Sequence, residues 1–432
     1  MQINKYYPIW HPFSQMKDFD ELPKLVKGEG LYLWDSDGNR YLDAIGSWWV
    51  TLHGHSNEHI REAVNKQMGE LEHAIFAGFT HQPAVELCSR LQKYLPGKDL
   101  EWKFFFSDNG STAVEVALKM AIQYYVQKKN SEKINIITLE GAYHGDTIGA
   151  MSAGHRDVFS KPFENHLFDA ITLPFPEDEN LPEIMEILGG IKNQHNILIY
   201  EPLIQGASGM RMMPAETLEY VLSYARDFGA ILIADEVMTG FGRTGTWFAS
   251  EQTHVIPHLM CLSKGLTGGA LPMSLTVAQP WLYEAFLHDD FDQGFLHGHS
   301  FTGNPLGCAA ANASLDLMED PQTWQKIEMI QEVYEQYEKK WSGHPFLENI
   351  RHKGIVFAAD VASDDEHHYL NNLRKPLYKE FMSRGLLIRP LGNTVYLLPP
   401  YCIELDELVF CLESLHDVTM KLFVNAGNEL EN

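Results

Sequence analysis

The 432 residues are 45% hydrophobic and 21% charged, which is the balance of a folded chain with a core large enough for two lobes, not that of a disordered one. A formal net charge of −25 repels nucleic acid and anionic membranes, so an anionic small ligand would need a locally positive pocket. No apolar run reaches the ~18 residues of a membrane span, and the opening MQINKYYPIWHPF has neither the basic start nor the apolar stretch of a signal peptide.

In chain order, the first 45 or so residues carry turn signals and short alternating strands, as in 31-LYLWDSDGNRYLD-43. From about residue 100, apolar strands alternate with helical stretches. The strands expected are 103-KFFFS-107, 134-INIITL-139, 196-NILIYEP-202, 230-AILIADEV-237, 259-LMCLS-263 and 274-SLTVA-278. Between them lie amphipathic segments such as 111-STAVEVALKMAIQYYV-126 and 215-AETLEYVLSYARDFG-229. This alternation predicts an α/β fold with a mostly parallel sheet flanked by helices. The last 120 residues turn to long helical patterns followed by the strands 354-GIVFAAD-360, 386-LLIRP-390 and 394-TVYLLPP-400. The expected organisation is a large domain over 51–314 and a smaller α+β domain built from both ends, 1–50 with 315–432. The five cysteines are scattered and form no C-x-x-C pair, which fits a reducing cytoplasm better than a disulfide framework or a metal site.

Several segments carry candidate chemistry. In 107-SDNGSTAVEVALK-119, Gly110, Ser111 and Thr112 open a helix, where free amides and the helix dipole can hold a phosphate; ordinary capping by Asn109 or Ser111 is the bland alternative. Tyr143 and His144 follow a strand in 140-EGAYHGDT-147, where an aromatic could stack on a flat cofactor or simply fill core. Asp235 ends an apolar strand, at the sheet edge where open α/β folds bind ligands; it could pair with a protonated ring nitrogen or cap the next segment. The run 240-GFGRTG-245 matches G-x-G-x-x-G, but residues intervene between it and its strand, no clean helix follows, and 261–270 offer no acidic partner. Lys264 follows a strand in a glycine-rich apolar setting. Poor solvation there would lower its pKa and make it a nucleophile toward an aldehyde, although a lone loop lysine is commonly a solvated charge.

Taken in order, the N-G-[ST] helix start, the Y-H-G turn, the strand leading to D-E-x-x-T-G-F-G-R-T-G, the S-K-G lysine and the S-F-T-G-N-P run resemble the class III aminotransferases, pyridoxal-phosphate enzymes of fold type I. The resemblance spans nearly the whole chain and is most specific from Ile233 to Gly269. It implies that Lys264 forms the covalent bond to pyridoxal 5'-phosphate and moves the substrate proton, and that Asp235 pairs with the pyridine nitrogen. It further implies that Tyr143 covers a ring face with His144 beside it, and that Gly110 and Ser111 hold the phosphate. Ser300 stands where the family usually has Thr reaching the phosphate in the neighbouring subunit, with Thr302 as a second candidate. A homodimer with shared sites is thereby implied.

Three features resemble more narrowly the branch of that family acting in biotin biosynthesis. They are the opening 9-IWHPFSQM-16, the tandem Trp48-Trp49 in 46-GSWWVTLHGH-55, and Arg389 in 388-IRPLGNTVYLLPPY-401. This implies 8-amino-7-oxononanoate as acceptor, its aliphatic chain against Trp48, Trp49 and Tyr143 and its carboxylate on Arg389. Adjacent strand residues face opposite ways, so both tryptophans can line one pocket only if their segment is a loop. S-adenosylmethionine is the usual donor and lysine an alternative, left open because Phe13 replaces a common Tyr. Arg243 either meets the substrate or braces its loop. The rival expectations are an omega-amino-acid transaminase and, more remotely, an NAD-dependent oxidoreductase using the G-F-G-R-T-G loop.

Overall fold

The computed structural model describes residues 8–18, 22–129, 131, 133–363 and 371–430, with side chains in the last helix up to Leu422. The first seven residues of the expected N-terminal segment lie outside that range. A seven-stranded sheet organises the molecule. In chain order its strands are β1 (Lys103–Ser107), β2 (Ile134–Leu139), β3 (Ile171–Leu173), β4 (His195–Tyr200), β5 (Ile231–Asp235), β6 (Leu259–Leu262) and β7 (Ser274–Ala278), and in space they run β1-β7-β6-β5-β4-β2-β3. Only β7 is antiparallel to its neighbours, β6 and β1. The three-residue β3 has too little pattern to announce itself in sequence.

The central strands are apolar along their whole length because both faces are covered. Ile197, Ile199, Ile231, Ile233, Leu259 and Cys261 face one way and pack with Ala113, Val114 and Ala117 of helix α1 (Gly110–Lys129). Their alternates Leu198, Tyr200, Leu232, Ala234, Met260 and Leu262 enter the main core on the other face. With the strands fixed this way, their carboxyl ends deliver Glu201, Asp235 and Lys264 to one edge.

The two chain ends meet. A four-stranded sheet orders Leu25–Glu29, Tyr32–Asp35, Arg40–Asp43 and Leu386–Leu387, the last pair parallel with Leu386 opposite Leu42. A second sheet joins Leu347–Lys353, Val356–Val361 and Thr394–Leu397. The boundary expected at 314 falls inside the helix Pro305–Glu319. The break comes at Asp320, whose carboxylate accepts from Gln322 N at 2.9 Å and starts Pro321–Lys340.

The turn between Lys353 and Val356 presses on the segment after β5. Ile355 N donates to Arg243 O at 2.9 Å, and Gly354 has φ +58. A Cβ on Gly354 would lie 2.3 Å from Arg243 O and 2.4 Å from Thr244 C, both backbone. Gly354→Ala should therefore cost on the order of 3 kcal/mol. Gly343→Ala, at φ +76 with open space around it, should cost only the torsional part. Thermal midpoints at one scan rate check this, and equal shifts for the two would refute it.

Candidate active site

Two connected cavities open at the carboxyl edge of the sheet. The inner one, about 500 Å³, is lined by Asp108, Asn109, Gly110, Ser111, Tyr143, His144, Glu201, Asp235, Lys264 and Trp49, among others. The outer, about 1070 Å³, shares Trp49, Tyr143 and Lys264 and adds Phe13, Trp48, Phe159, Arg211 and Arg389.

Lys264 leaves β6 at φ +41, a left-handed conformation that a lysine adopts only where its surroundings hold it. Its Nζ lies 4.6 Å from the Trp49 ring centroid. Burial lowers its pKa to about 8, against the opposing pull of the Asp235 and Glu201 carboxylates. Asp235 Oδ2 accepts from His144 Nδ1 at 2.8 Å, and Oδ1 from Val237 N at 3.2 Å. His144 is buried and its Nε2 has no partner among the described residues.

At the start of α1, where a phosphate is expected, Asn109 caps the helix and the first amides stay open. Asn109 Oδ1 takes Thr112 N at 3.1 Å, while the amides of Gly110 and Ser111 come too early in α1 for an intrahelical acceptor. A Cβ on Gly110 would come 2.7 Å from Val237 Cγ1. Gly145, at φ +122, leaves room for Ser111 Oγ, which a Cβ would approach to 2.0 Å. The start of the helix is thus packed closely on two sides, by the Val237 side chain at Gly110 and by the Gly145 backbone at Ser111.

Glu201 was not among the residues singled out from sequence. It follows β4 in a wholly buried setting, its carboxylate accepting from Tyr143 N and Gly206 N at 3.0 Å each. Burial pushes its pKa up to about 7. The available signal was positional: like Asp235, it is an acid at the end of an apolar strand of the same sheet.

Trp48 and Trp49 resolve the loop question. Ser47 and Trp49 have φ of 60° and 64°, so the segment is a kinked turn and both indoles line the outer cavity. Trp49 donates to Tyr396 OH at 2.9 Å, and Trp48 meets Phe13 edge-on at 5.3 Å. Arg389 stacks 4.8 Å from the Trp48 ring and donates to Phe13 O at 3.1 Å. Arg243 lines neither cavity. It is 1% exposed and donates to Trp49 O at 2.8 Å, which places it behind the tryptophan turn, beside the cavities.

Ser300 is exposed and Thr302 half-buried, its hydroxyl accepting from His299 N at 3.0 Å; neither lines a cavity of its own chain. The G-F-G-R-T-G run forms no dinucleotide loop. It bends back over the buried Glu236, which accepts from Thr239 Oγ1, Ala249 N and Ser250 N at 2.7, 3.1 and 2.7 Å.

A sheet edge presenting a half-neutral lysine, a histidine-braced carboxylate and an open helix start defines a transferase site of the aminotransferase kind. The class-III aminotransferase profile matches residues 17–419, and the chain belongs to that family. Among its relatives, the adenosylmethionine-8-amino-7-oxononanoate aminotransferase of Synechococcus elongatus is 46% identical, covering 93% of this chain and 95% of that protein. The protein of the same name from Geobacter sulfurreducens is 38% identical over 95% and 96%. The crystal structure of the Methanocaldococcus jannaschii protein of that name superposes with a TM-score of 0.91 at 33% identity, covering 96% and 97%.

The lowered pKa predicts selective chemistry at one amine. At pH 8 about half of Lys264 is neutral, whereas an ordinary lysine of pKa ~10.4 is neutral in less than about 1% of molecules. Reductive trapping of a small aldehyde by protein freed of bound carbonyls should label Lys264 roughly 100-fold ahead of surface lysines. Its rate should rise with pH through a midpoint near 8. Peptide mapping checks the site; labelling spread over many lysines would refute the assignment.

Proposed function

We propose that the chain transfers an amino group to 8-amino-7-oxononanoate, with S-adenosylmethionine as donor, giving 7,8-diaminononanoate in biotin biosynthesis. The observation that carries this reading is the outer cavity: two tryptophans and Phe13 form an apolar trough leading from Lys264, with a guanidinium fixed on one of its walls. Such a trough suits a long aliphatic acid. The names of the relatives agree with it.

Class-III aminotransferases depend on pyridoxal phosphate, and the residues present fit that group. The inner cavity offers an amine for its aldehyde, a carboxylate for its ring nitrogen and the open first amides of α1 for its phosphate, and the partnerless Nε2 of His144 can serve a bound group. Lys264 would hold it covalently, Asp235 at the ring nitrogen, Gly110 and Ser111 at the phosphate, and Tyr143 against a ring face. When bound, the pyridoxal ring draws electrons from the carbon that carries the transferred nitrogen.

With the group bound, Lys264 would serve as the base at that carbon; its lowered pKa leaves a neutral amine that can take a proton near neutral pH and return it elsewhere. Asp235, held in place by His144, keeps a proton at the ring nitrogen. Trp49 closes over the lysine and limits water. Arg389 offers a planar fork to the acceptor carboxylate. A homodimer completes the proposal: Ser300 or Thr302 reaches the neighbouring phosphate, and Ile75, Phe79, Phe291 and Phe301, each more than half exposed, lie on the face to be covered. Five free cysteines agree with a cytoplasmic location.

The half-reaction tests the donor. Mixing the pyridoxal form with S-adenosylmethionine should bleach the visible band of the bound cofactor. Bleaching by lysine and not by S-adenosylmethionine would keep the acceptor and change the donor; bleaching by neither would favour an omega-amino-acid transaminase. Arg389→Ala should raise KM for the acceptor about 10- to 100-fold and leave the donor half-reaction unchanged. Steady-state kinetics with each substrate varied in turn checks this.

A further inference from the structure

The tandem tryptophans stand in a turn that the chain does not form unaided. Gly46, Ser47 and Trp49 all have positive φ, of 56°, 60° and 64°, and Ser47, with ψ −83°, lies in the strained region of the γ-turn. Such conformations persist only where the surroundings fix them. Arg243 holds the far end of the turn through Trp49 O, and Tyr396 holds the indole. The near end is held by the buried Asp43 carboxylate. Its Oδ2 accepts from Ser47 N at 2.7 Å and from Ser47 Oγ at 3.1 Å, and its Oδ1 accepts from Ile45 N at 3.3 Å. His55 Nε2 donates to the same Oδ2 at 2.8 Å.

Both sides of this clamp are fixed. Asp43 ends the strand Arg40–Asp43 opposite Leu387, and its amide donates to Leu31 O at 2.9 Å. The next residue, Ala44, donates to Leu387 O at 3.3 Å and accepts from Leu398 N at 2.9 Å. His55 exchanges two backbone hydrogen bonds with Gly30, at 2.6 and 3.0 Å, and a Cβ on Gly28 would come 2.8 Å from His55 Cβ. Beyond the turn, residues 50–52 lie against the lysine segment. A Cβ on Gly269 would meet Val50 C at 2.8 Å, and one on Gly265 would meet Leu52 Cδ1 at 2.9 Å. The turn thus bends between a rigid strand end and the segment that carries Lys264, and the carboxylate spans the bend.

We propose that Asp43 is a positioning residue of the active site: by clamping Ser47 it holds the Trp49 indole over Lys264 and Trp48 in the cavity wall. The consequence for Lys264 has a sign. The indole, 4.6 Å from Nζ, keeps water from the ammonium and returns only part of the lost hydration through its π face. When the turn slackens, water reaches the amine and its pKa rises. Were Asp43 to act on Lys264 by charge alone, removing it would lower that pKa, because one anion fewer favours the neutral amine. The two roles therefore predict opposite shifts. The inference needs Lys264 as the reactive amine and does not depend on the identity of either substrate.

Reductive trapping of a small aldehyde by protein freed of bound carbonyls, followed across pH and mapped to peptides, reads the midpoint of Lys264. Asp43→Ala should move that midpoint from near 8 up toward ~9 and slow trapping at pH 8 about 5-fold, with the surface lysines unchanged as internal standard. Asp43→Asn keeps an oxygen for Ser47 and should stay close to wild type. The other groups around the amine, Asp235, Glu201, Arg243, His144, Tyr143 and Asp108, are the same in all three proteins. A folded Asp43→Ala whose midpoint stays near 8 or falls overturns the proposal, even where its thermal midpoint drops. An equal rise in Asp43→Asn overturns it too, because the clamp on Ser47 would then not be the cause. If Asp43→Ala does not accumulate folded, Ser47→Ala, which removes the hydroxyl bond alone, decides by the same measurement: a rise supports the clamp and an unmoved midpoint overturns it. A wild-type Lys264 that titrates like a surface lysine removes the reactive amine itself, and this inference with it.

Discussion

The carboxyl edge of the central sheet is governed by desolvation: two carboxylates, an imidazole and an amine are buried side by side in the wall of the inner cavity. Burial disfavours the charged form of two of them. It raises Glu201 to about 7 and lowers Lys264 to about 8, so both change protonation near neutral pH. The opposite charges restrain the effect, since Asp235 and Glu201 draw the lysine back toward its cationic form. Apolar strands whose two faces are both covered make the edge dry, and they end in polar residues just where helix and loop leave a gap. The chemistry therefore depends on packing far from it, in the layers of Ile, Leu and Val that hold the strands flat against α1.

A second dependence runs through the tryptophan turn. Trp49 touches Lys264 on one side, bonds Tyr396 of the C-terminal sheet on another, and has its carbonyl held by Arg243. Arg243 in turn has its own carbonyl held by Ile355 of the same C-terminal sheet. Residues from both chain ends thus set the position of one indole over the reactive amine. Buried Arg243 also shows a charged side chain near the site serving the backbone around it. Its Nη1 is without a partner among the described residues, and the group is retained where it orders a backbone.

Much of this was legible in the sequence because strong patterns coincide with function. Strands β1, β2 and β7 have the ends that their apolar runs predict, and Lys264 and Asp235 stand at strand ends that hydrophobicity alone locates. The antiparallel course of β7 was not legible, since a short apolar run has no direction. Nor was the tryptophan turn, which depends on positive φ at Ser47 and Trp49, residues that favour no such conformation by themselves. Glu201 was passed over because an acid before a proline reads as punctuation; only pairing of β4 beside β5 brings it next to Asp235. Arg243 was ambiguous for the converse reason, as sequence shows nearness to a motif but not which way a side chain lies.

The hydrogen bond from Arg389 to Phe13 O ties the segment around residue 13 to the outer cavity. Phe13 adopts φ +48 and packs between Trp48 and Phe159, so this short strap is a wall of the cavity and not a trailing end. Two of its other side chains, Ile9 and Trp10, face solvent at 54% and 88% exposure. Any shift of the backbone at Phe13 would therefore move the Arg389 guanidinium with it, and the Trp48 indole on which that guanidinium lies.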